Sequence, residues 1–145
     1  MNIKIKTLPH FKGELPKYQT PDSSGFDIRA QISSDVKIES GERKLISTGI
    51  RFETPHGYEL QVRPRSGLAL QQGITVLNTP GTIDADFRGE VMIILINHGK
   101  MPYTIRDQDR VAQLVLCPII QASFELVEDL PLTRRNTGGF GSTGM

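Results

Sequence analysis

Residues 78–90 of the chain read NTPGTIDADFRGE, and they lead directly into the apolar run VMIILI at residues 91–96. Pro80, Gly81 and Gly89 prevent a regular helix or strand over the first segment, whereas the apolar run has the length of a buried strand. Two aspartates, a phenylalanine and an arginine therefore lie on a turn-rich segment joined to a buried strand. Folds commonly present acidic and aromatic groups to a ligand in this way. A β-hairpin with polar tips in water is the alternative interpretation.

The rest of the chain predicts an all-β fold. Short segments alternate apolar with polar residues or are continuously apolar, and turn residues separate them at fairly even spacing. This pattern favours a distorted jelly-roll barrel or sandwich of short antiparallel strands over an α/β fold. One short helix is predicted at residues 66–73, where Ser66 would cap the helix and Gly73 would end it. The predicted strands are residues 3–6, 24–30, 36–38, 45–52, 58–63, 74–77, 91–96, 103–105, 111–116 and 122–127.

The chain has 145 residues, the size of one domain with its own hydrophobic core. Cys117 is the only cysteine, so the chain cannot form an internal disulfide, which suits a reducing compartment. Its apolar neighbours predict a buried, inert thiol. Residues 1–132 form the predicted β domain. Residues 133–145 contain four glycines and one aromatic residue, so we expect a flexible tail in the absence of ligand.

Charge and hydropathy argue against several classes of partner. Lys and Arg total 17 against 16 Asp and Glu, for a net charge of +1, and the sequence has no block of like charge. We therefore expect no binding to nucleic acid and none to a membrane surface. No apolar run approaches the roughly 20 residues that span a bilayer. Residues 1–6 lack the apolar core of a secretory signal, so the expected location is the cytoplasm.

A second group of polar residues lies between a predicted strand and the predicted helix. Arg65, Ser66 and Gly67 would offer a guanidinium, a hydroxyl and free backbone N–H groups, which together suit a phosphate. A helix cap beside a surface arginine is the alternative interpretation.

Two further pairs are weak signals by themselves. Asp27 lies on a predicted strand next to Arg29, and such a pair is ordinarily solvated and of little energy. Arg110 and Gln113 are three residues apart, a spacing that is ordinary for an exposed strand edge.

Taken in order, these groups resemble the five motifs of the homotrimeric dUTPases (deoxyuridine triphosphate nucleotidohydrolases). The resemblance extends along most of the chain, and the third and fifth motifs are the specific ones. The motifs read SGFDI at residues 24–28, RPRSGLA at 63–69, GTIDADFRGE at 81–90, RVAQL at 110–114 and RNTGGFGSTG at 135–144.

The resemblance implies a dUTP diphosphatase, which hydrolyses dUTP to dUMP and pyrophosphate. Such an enzyme keeps uracil out of DNA and supplies dUMP for thymidylate synthesis. By the same resemblance, Asp84 is the general base for a water that attacks the α-phosphorus in line. Mg²⁺ is the implied cofactor, bound by phosphate oxygens with no direct protein ligand. Asp27 either contacts the hydrated ion or orients Arg110, and both roles stay open.

The resemblance also implies which residues bind the substrate. Backbone groups of the hairpin that contains Asn78, Gly81 and Ile83 would pair with the uracil, and Phe87 would pack against the deoxyribose to exclude a 2′-hydroxyl. Most family members have tyrosine at this last position, so this chain lacks any hydrogen bond from that hydroxyl. The implied phosphate-binding residues are Arg65, Ser66, Gly67 and Gln113.

The implied function of the tail is to close the site. Phe140 would stack on the uracil, and the main chain around it would approach the phosphates through glycines. In the family, the hairpin and the phosphate loops come from two neighbouring chains and the tail from a third, so we expect a homotrimer with shared sites and an inactive monomer. The tail residues assigned to substrate binding are Arg135, Phe140, Gly141, Ser142 and Thr143.

Three other functions remain as alternatives. A dCTP deaminase shares the fold and an Arg-Ser phosphate loop, but the glycine-rich fifth motif favours the hydrolase. A non-catalytic nucleotide-binding module would tolerate loss of the base, yet Asp84 is present. A purely structural jelly roll leaves the arginines and the tail unexplained. His10, His56 and His98 match no motif and have no metal-site spacing, so we interpret them as structural or surface residues.

Overall fold

A computed structural model of the chain describes residues 1–140 and 142. Among these residues it contains strands and one short helix, as the sequence predicts. The strands are β1 Lys4–Thr7, β2 Gly25–Arg29, β3 Val36–Ile38, β4 Arg43–Ser47, β5 Ile50–Glu53, β6 Tyr58–Arg63, β7 Ile74–Val76, β8 Gly81–Ile83, β9 Met92–Asn97, β10 Tyr103–Ile105 and β11 Arg110–Pro118, and the helix is α1 Ser66–Gln72.

The strands form small antiparallel sheets that enclose one core. The largest has the order β2-β11-β6-β8, and the others pair β4-β9-β7, β1-β5 and β10-β3. Over the part of the chain that is described, the sheets do not close into a continuous barrel, and the architecture is that of a distorted jelly roll. The all-β prediction is confirmed. The helix in this part of the chain is too short to cross a membrane.

Period-2 alternation explains why these segments form half-buried strands. In β2, Phe26 and Ile28 point into the core, whereas Asp27 lies on the opposite face. In β6, Leu60 and Val62 are buried in the same way. Each fully buried Val, Leu or Ile side chain stabilises the fold by roughly 1.5–3 kcal/mol relative to exposure. The core therefore fixes which face of the largest sheet carries the polar residues.

The predicted continuous strand at residues 45–52 is wrong, because the chain bends in its middle. β4 ends at Ser47 and β5 begins at Ile50. Between them Gly49 has a φ of 66°, a left-handed conformation that glycine adopts without steric cost. Each half then joins a different sheet, β4 with β9 and β5 with β1.

The helix prediction is confirmed in position but not in its cap. Gly73 ends α1 with a φ of 68°. Arg65, not Ser66, is the N-cap residue, and no side chain caps the helix. The one-residue shift is within the usual uncertainty of a helix end.

Two predictions near the C-terminus are wrong. Residues 122–127 do not form a strand, and the side chains of Phe124 and Leu126 are 98% and 100% exposed. A strand needs a paired edge, and the described part of the chain provides none for this segment. Cys117 is only partly buried, because the β2 pairing ends at Val115 and only β6 continues alongside it. Arg63 Nη2 lies 3.7 Å from its Sγ.

Candidate active site

Asp27 joins two arginines from distant parts of the chain. Its Oδ1 accepts a hydrogen bond from Arg65 Nε at 2.8 Å, and its Oδ2 accepts one from Arg110 Nη1 at 3.1 Å. The Asp27 side chain is only 15% exposed, so these charge-assisted bonds are screened less than those of a surface pair. Arg65 Nη1 also donates to the carbonyl oxygen of Arg110 at 3.3 Å. The solvated pair with Arg29 does not form, since Arg29 Nη1 donates to the Gln108 carbonyl instead.

Gln113 belongs to the same group of residues. It lies opposite Asp27 on β2 and opposite Arg63 on β6, and its Nε2 donates to the carbonyl oxygen of Pro64 at 3.0 Å. Gly25 makes room for it, because a Cβ on Gly25 would lie 2.6 Å from Gln113 Oε1. We call Asp27, Arg65, Ser66, Gly67, Arg110 and Gln113 the cationic cluster.

Ser66 and Gly67 are exposed beside these arginines. A Cβ built on Gly67 would meet no atom within 4 Å, so its backbone is open to an approaching group. The cationic cluster thus combines two guanidiniums, an amide, a hydroxyl and accessible main chain, which suits an anion with several oxygens. The structure brings together the residues that the second and fourth motifs predict for phosphate.

The turn between β7 and β8, where the sequence predicts a uracil-binding hairpin, joins strands of two different sheets that do not pair with each other. This turn is fixed to the rest of the fold at both ends. Leu77 N donates to the carbonyl oxygen of Ile94 at 2.9 Å, and Gly81 pairs with Val62 on β6. A Cβ on Gly81 would lie 3.1 Å from Asn78 Nδ2 and 3.2 Å from Val62 Cβ, so glycine permits the close packing of the turn. Asn78 is exposed at its tip.

Asp84 and Phe87 line one cleft directly after β8. Ile83 is buried opposite Leu60, and Asp84 is exposed at the next position. A turn follows, in which Phe87 N donates to the carbonyl oxygen of Asp84 at 3.2 Å. The Phe87 ring is 44% exposed and folds over Gly89, where a Cβ would lie 2.4 Å from its Cζ. The cleft has a volume of about 300 Å³, and its lining residues are Thr82, Ile83, Asp84, Phe87, Glu90, Val91 and Met92.

Within one chain, Asp84 and Arg65 lie toward opposite ends of β6. Ile83 pairs with Leu60 at one end of β6, whereas Arg65 follows the other end of that strand. Asp84 and Arg65 are therefore separated by about six residues along extended chain, or roughly 20 Å at the usual rise of a strand.

In residues 133–140 and 142, the described part of the tail, the hydrogen bonds stay within the tail itself. Arg135 Nε donates to the carbonyl oxygen of Gly138 at 3.0 Å, and Ser142 N donates to that of Gly139 at 3.0 Å. The Phe140 side chain is fully exposed. Of the other residues predicted for substrate binding, Gly141 and Thr143 lie outside the described residues.

Asp27 is the carboxylate of the cationic cluster that could serve a metal ion. Among residues 1–140 and 142, no three His, Cys, Asp or Glu side chains form a group that could hold a metal ion. Both oxygens of Asp27 already accept hydrogen bonds from arginines. Such a donor set suits hydrated Mg²⁺ bound to phosphate oxygens, with Asp27 as the carboxylate that would reach its water shell.

Sequence reasoning assigned no role to Glu90, yet the structure gives it a defined place. Its Oε1 accepts hydrogen bonds from Ser47 Oγ, Thr48 N and Gly49 N at 2.5, 3.1 and 2.8 Å. The donors are more than 40 residues away in sequence, so only its position at the end of the third motif could have drawn attention to it.

Comparisons with known proteins identify the family of the chain. A protein-family model described as dUTPase matches residues 12–144. The deoxyuridine 5′-triphosphate nucleotidohydrolase of Bdellovibrio bacteriovorus is 61% identical over 142 residues, which cover 98% of this chain and 95% of that protein.

Solved structures show the same fold at lower identity. The dUTPase of Staphylococcus bacteriophage 80alpha with dUPNHPP superimposes with a TM-score of 0.87 at 24% identity, covering 99% of both chains. A D-to-N mutant dUTPase from phage phi11 of S. aureus, in which a structural Mg(II) ion is coordinated, gives a TM-score of 0.78 at 22% identity, covering 89% of this chain and 98% of that one.

The fold, the cationic cluster and the family match together define a nucleotide-hydrolysing enzyme built on a jelly roll. Within that class, the chain belongs to the dUTPase family.

Proposed function

We propose that the protein hydrolyses dUTP to dUMP and pyrophosphate, with Asp84 as the general base. In this reaction Asp84 removes a proton from a water molecule, the water oxygen forms a bond to the α-phosphorus, and the bond from that phosphorus to the bridging oxygen of the β-phosphate breaks. Pyrophosphate leaves with the bridging oxygen. The observation that carries the proposal is that an exposed Asp84 shares a cleft of about 300 Å³ with the ring of Phe87.

The uracil and the deoxyribose bind at the turn between β7 and β8 and at this cleft. Main-chain groups around Asn78, Gly81 and Ile83 pair with the edge of the base, because the tight turn leaves space for a pyrimidine and for close approach to the backbone. Phe87 packs against the sugar and leaves no space for a 2′-hydroxyl. Rejection of UTP therefore depends on the aromatic ring of Phe87 and does not require the phenolic hydroxyl of a tyrosine.

The triphosphate binds at the cationic cluster of a neighbouring chain. Arg65 and Arg110 supply charge, Ser66 and Gln113 supply polar contacts, and Gly67 leaves the backbone accessible. Mg²⁺ bound to the phosphate oxygens would neutralise negative charge and orient the leaving group. Asp27 holds the two arginines in place and is the residue that would contact the water shell of the ion.

The protein acts as a homotrimer whose sites are shared between chains. The separation of roughly 20 Å between Asp84 and Arg65 along one chain supports this proposal, and so does the apolar, fully exposed segment around Phe124 and Leu126. The domain of residues 1–132 supplies the hairpin and the cationic cluster. The tail of residues 133–145 reaches the site of another chain, where Phe140 stacks on the uracil and the residues around Ser142 close on the phosphates.

The biological consequence is control of uracil in DNA. Removing dUTP lowers the amount that a polymerase can incorporate, and the dUMP released is the substrate for thymidylate synthesis.

The test is pyrophosphate release from dUTP, dTTP, dCTP and UTP, each with Mg²⁺ added or chelated. We expect rapid release from dUTP with Mg²⁺, much slower release after chelation, and little from the other nucleotides. Ammonia release from dCTP would instead indicate a deaminase, and equal turnover of all four nucleotides would contradict recognition of uracil.

A further inference from the structure

The segment that carries Asp84 and Phe87 depends on its two ends for its position. Among the described residues, the hydrogen bonds of residues 84–89 stay within the segment, for example from Arg88 Nη1 to the carbonyl oxygen of Ala85 at 2.6 Å. Its first end is fixed because Ile83 pairs with Leu60 on β6. Its second end begins at Glu90.

Glu90 anchors this second end to the bend between β4 and β5. One carboxylate oxygen, Oε1, accepts hydrogen bonds from the hydroxyl of Ser47 and from the backbone N–H groups of Thr48 and Gly49. The next residue extends the attachment, because Val91 N donates to the carbonyl oxygen of Ile50 at 2.9 Å and the Thr48 hydroxyl donates to the carbonyl oxygen of Val91 at 2.5 Å. The bend therefore fixes both the side chain and the backbone at this point.

The side chain of Glu90 is 20% exposed and lines the same cleft as Asp84 and Phe87. Partial burial raises the pKa of Glu90, but the hydrogen bonds from Ser47 and Gly49 and the nearby His10 outweigh it, so the pKa lies below the usual value. His10 Nε2 is 3.7 Å from Oε1 and 3.1 Å from Ser47 Oγ. The carboxylate is thus ionised at neutral pH and remains a strong acceptor.

We propose that Glu90 is a positioning residue, whose hydrogen bonds to the bend between β4 and β5 hold Asp84 and Phe87 in their reactive arrangement. This inference rests on the proposed role of Asp84 as the general base. In this role Glu90 contributes to turnover through the segment of residues 84–89, and not by binding the substrate. A misplacement of about 1 Å in a catalytic group costs up to about 100-fold in rate, so loss of the anchor should lower kcat more than it weakens binding.

The experiment compares Glu90→Ala and Glu90→Gln with the wild-type protein, using kcat and KM for dUTP and the Kd of the analogue dUPNHPP. We expect Glu90→Ala to lower kcat by about 10- to 100-fold while the Kd changes much less. Glu90→Gln keeps an oxygen that can accept the same donors, so it should recover most of the lost kcat. If the Ala variant does not fold, Ser47→Ala, which removes one donor, should give a smaller loss of kcat.

Asn97→Ala is the matched control. Asn97 is a buried polar residue with a comparable set of hydrogen bonds, to the carbonyl oxygens of Ile38 and Met101 and from Gly99 N, and it does not line the cleft. The Asn97→Ala variant should have a lower free energy of unfolding than the wild-type protein, with kcat little changed. The proposal is wrong if Glu90→Ala or Ser47→Ala lowers kcat no more than Asn97→Ala does, or if Glu90→Gln is as slow as Glu90→Ala. A wild-type rate for Asp84→Asn would show that Asp84 is not the general base, which is a different outcome from failure of the Glu90 proposal.

Discussion

Arg65 Nε lies 2.8 Å from Asp27 Oδ1, across the 38 positions that separate the two residues in sequence. This bond links the end of β6 to the face of β2, and a second bond from Arg110 completes the arrangement. One largely buried carboxylate therefore holds two guanidiniums side by side, which would otherwise repel each other. The two bonds to Asp27 therefore keep the positive charges of Arg65 and Arg110 together before a polyanion binds.

Asp27→Asn should lower kcat/KM for dUTP by about tenfold or more, because the arginines lose the charge that orients them. The measurement is a steady-state titration of dUTP at several Mg²⁺ concentrations. If Asp27 acts only through the arginines, the Mg²⁺ concentration that gives half-maximal rate stays at the wild-type value. If it also contacts the hydrated ion, that concentration rises. Asp35→Asn, which breaks a long, exposed contact with Arg106, is the control and should leave both quantities unchanged.

Asp84→Asn should reduce turnover by a factor of about 10² or more while still binding dUPNHPP, as expected for loss of a general base without loss of shape. Single-turnover hydrolysis and analogue titration measure the two properties separately. Turnover close to the wild-type rate would remove Asp84 from this role, and a parallel loss of binding would show that its contribution is not specific to the transition state.

Phe87→Ala should reduce the preference for dUTP over UTP by about tenfold or more, since the ring no longer occupies the space of a 2′-hydroxyl. The ratio of kcat/KM for the two nucleotides measures the effect. Phe87→Tyr, which keeps the ring and adds a hydroxyl, should keep the preference. An unchanged ratio in Phe87→Ala would mean that another group excludes the ribonucleotide.

Truncation after Thr133 should leave the oligomer intact in sedimentation but nearly abolish turnover, because the tail completes the site and excludes water. The single substitution Phe140→Ala should lower activity less, since the rest of the tail remains. A truncated protein with full activity would show that the tail is not needed to close the site.

Much of the fold follows from local sequence because burial imposes a period of two on β2 and β6. The errors occur where longer-range structure decides the outcome. Whether residues 45–52 form one strand or two depends on the φ of Gly49 and on the sheet that each half joins. Residues 122–127 have a strand pattern, but a strand also needs a partner, and the described part of one chain provides none.

The full candidate site was predicted through a resemblance of motifs, because the residues by themselves indicated only separate parts of it. Spacing alone did not predict that Asp27 would contact Arg65 instead of Arg29. Asp27 and Arg65 meet only through the antiparallel register of strands that are distant in sequence. The anchor of Glu90 was missed for the same reason, since its donors lie on a bend that local patterns did not predict.

The central claim is that Asp84 of one chain acts on phosphates bound by Arg65 of another. Sedimentation of the wild-type protein should first show three chains. Asp84→Asn and Arg65→Ala, each nearly inactive alone, are then unfolded together, refolded as a mixture, and assayed with dUTP.

We predict recovery to about a quarter of the wild-type turnover, because about one in four random neighbours in a closed ring pairs the two intact halves of a site. A mixture no more active than either variant alone, or an active wild-type monomer, would contradict sites shared between chains.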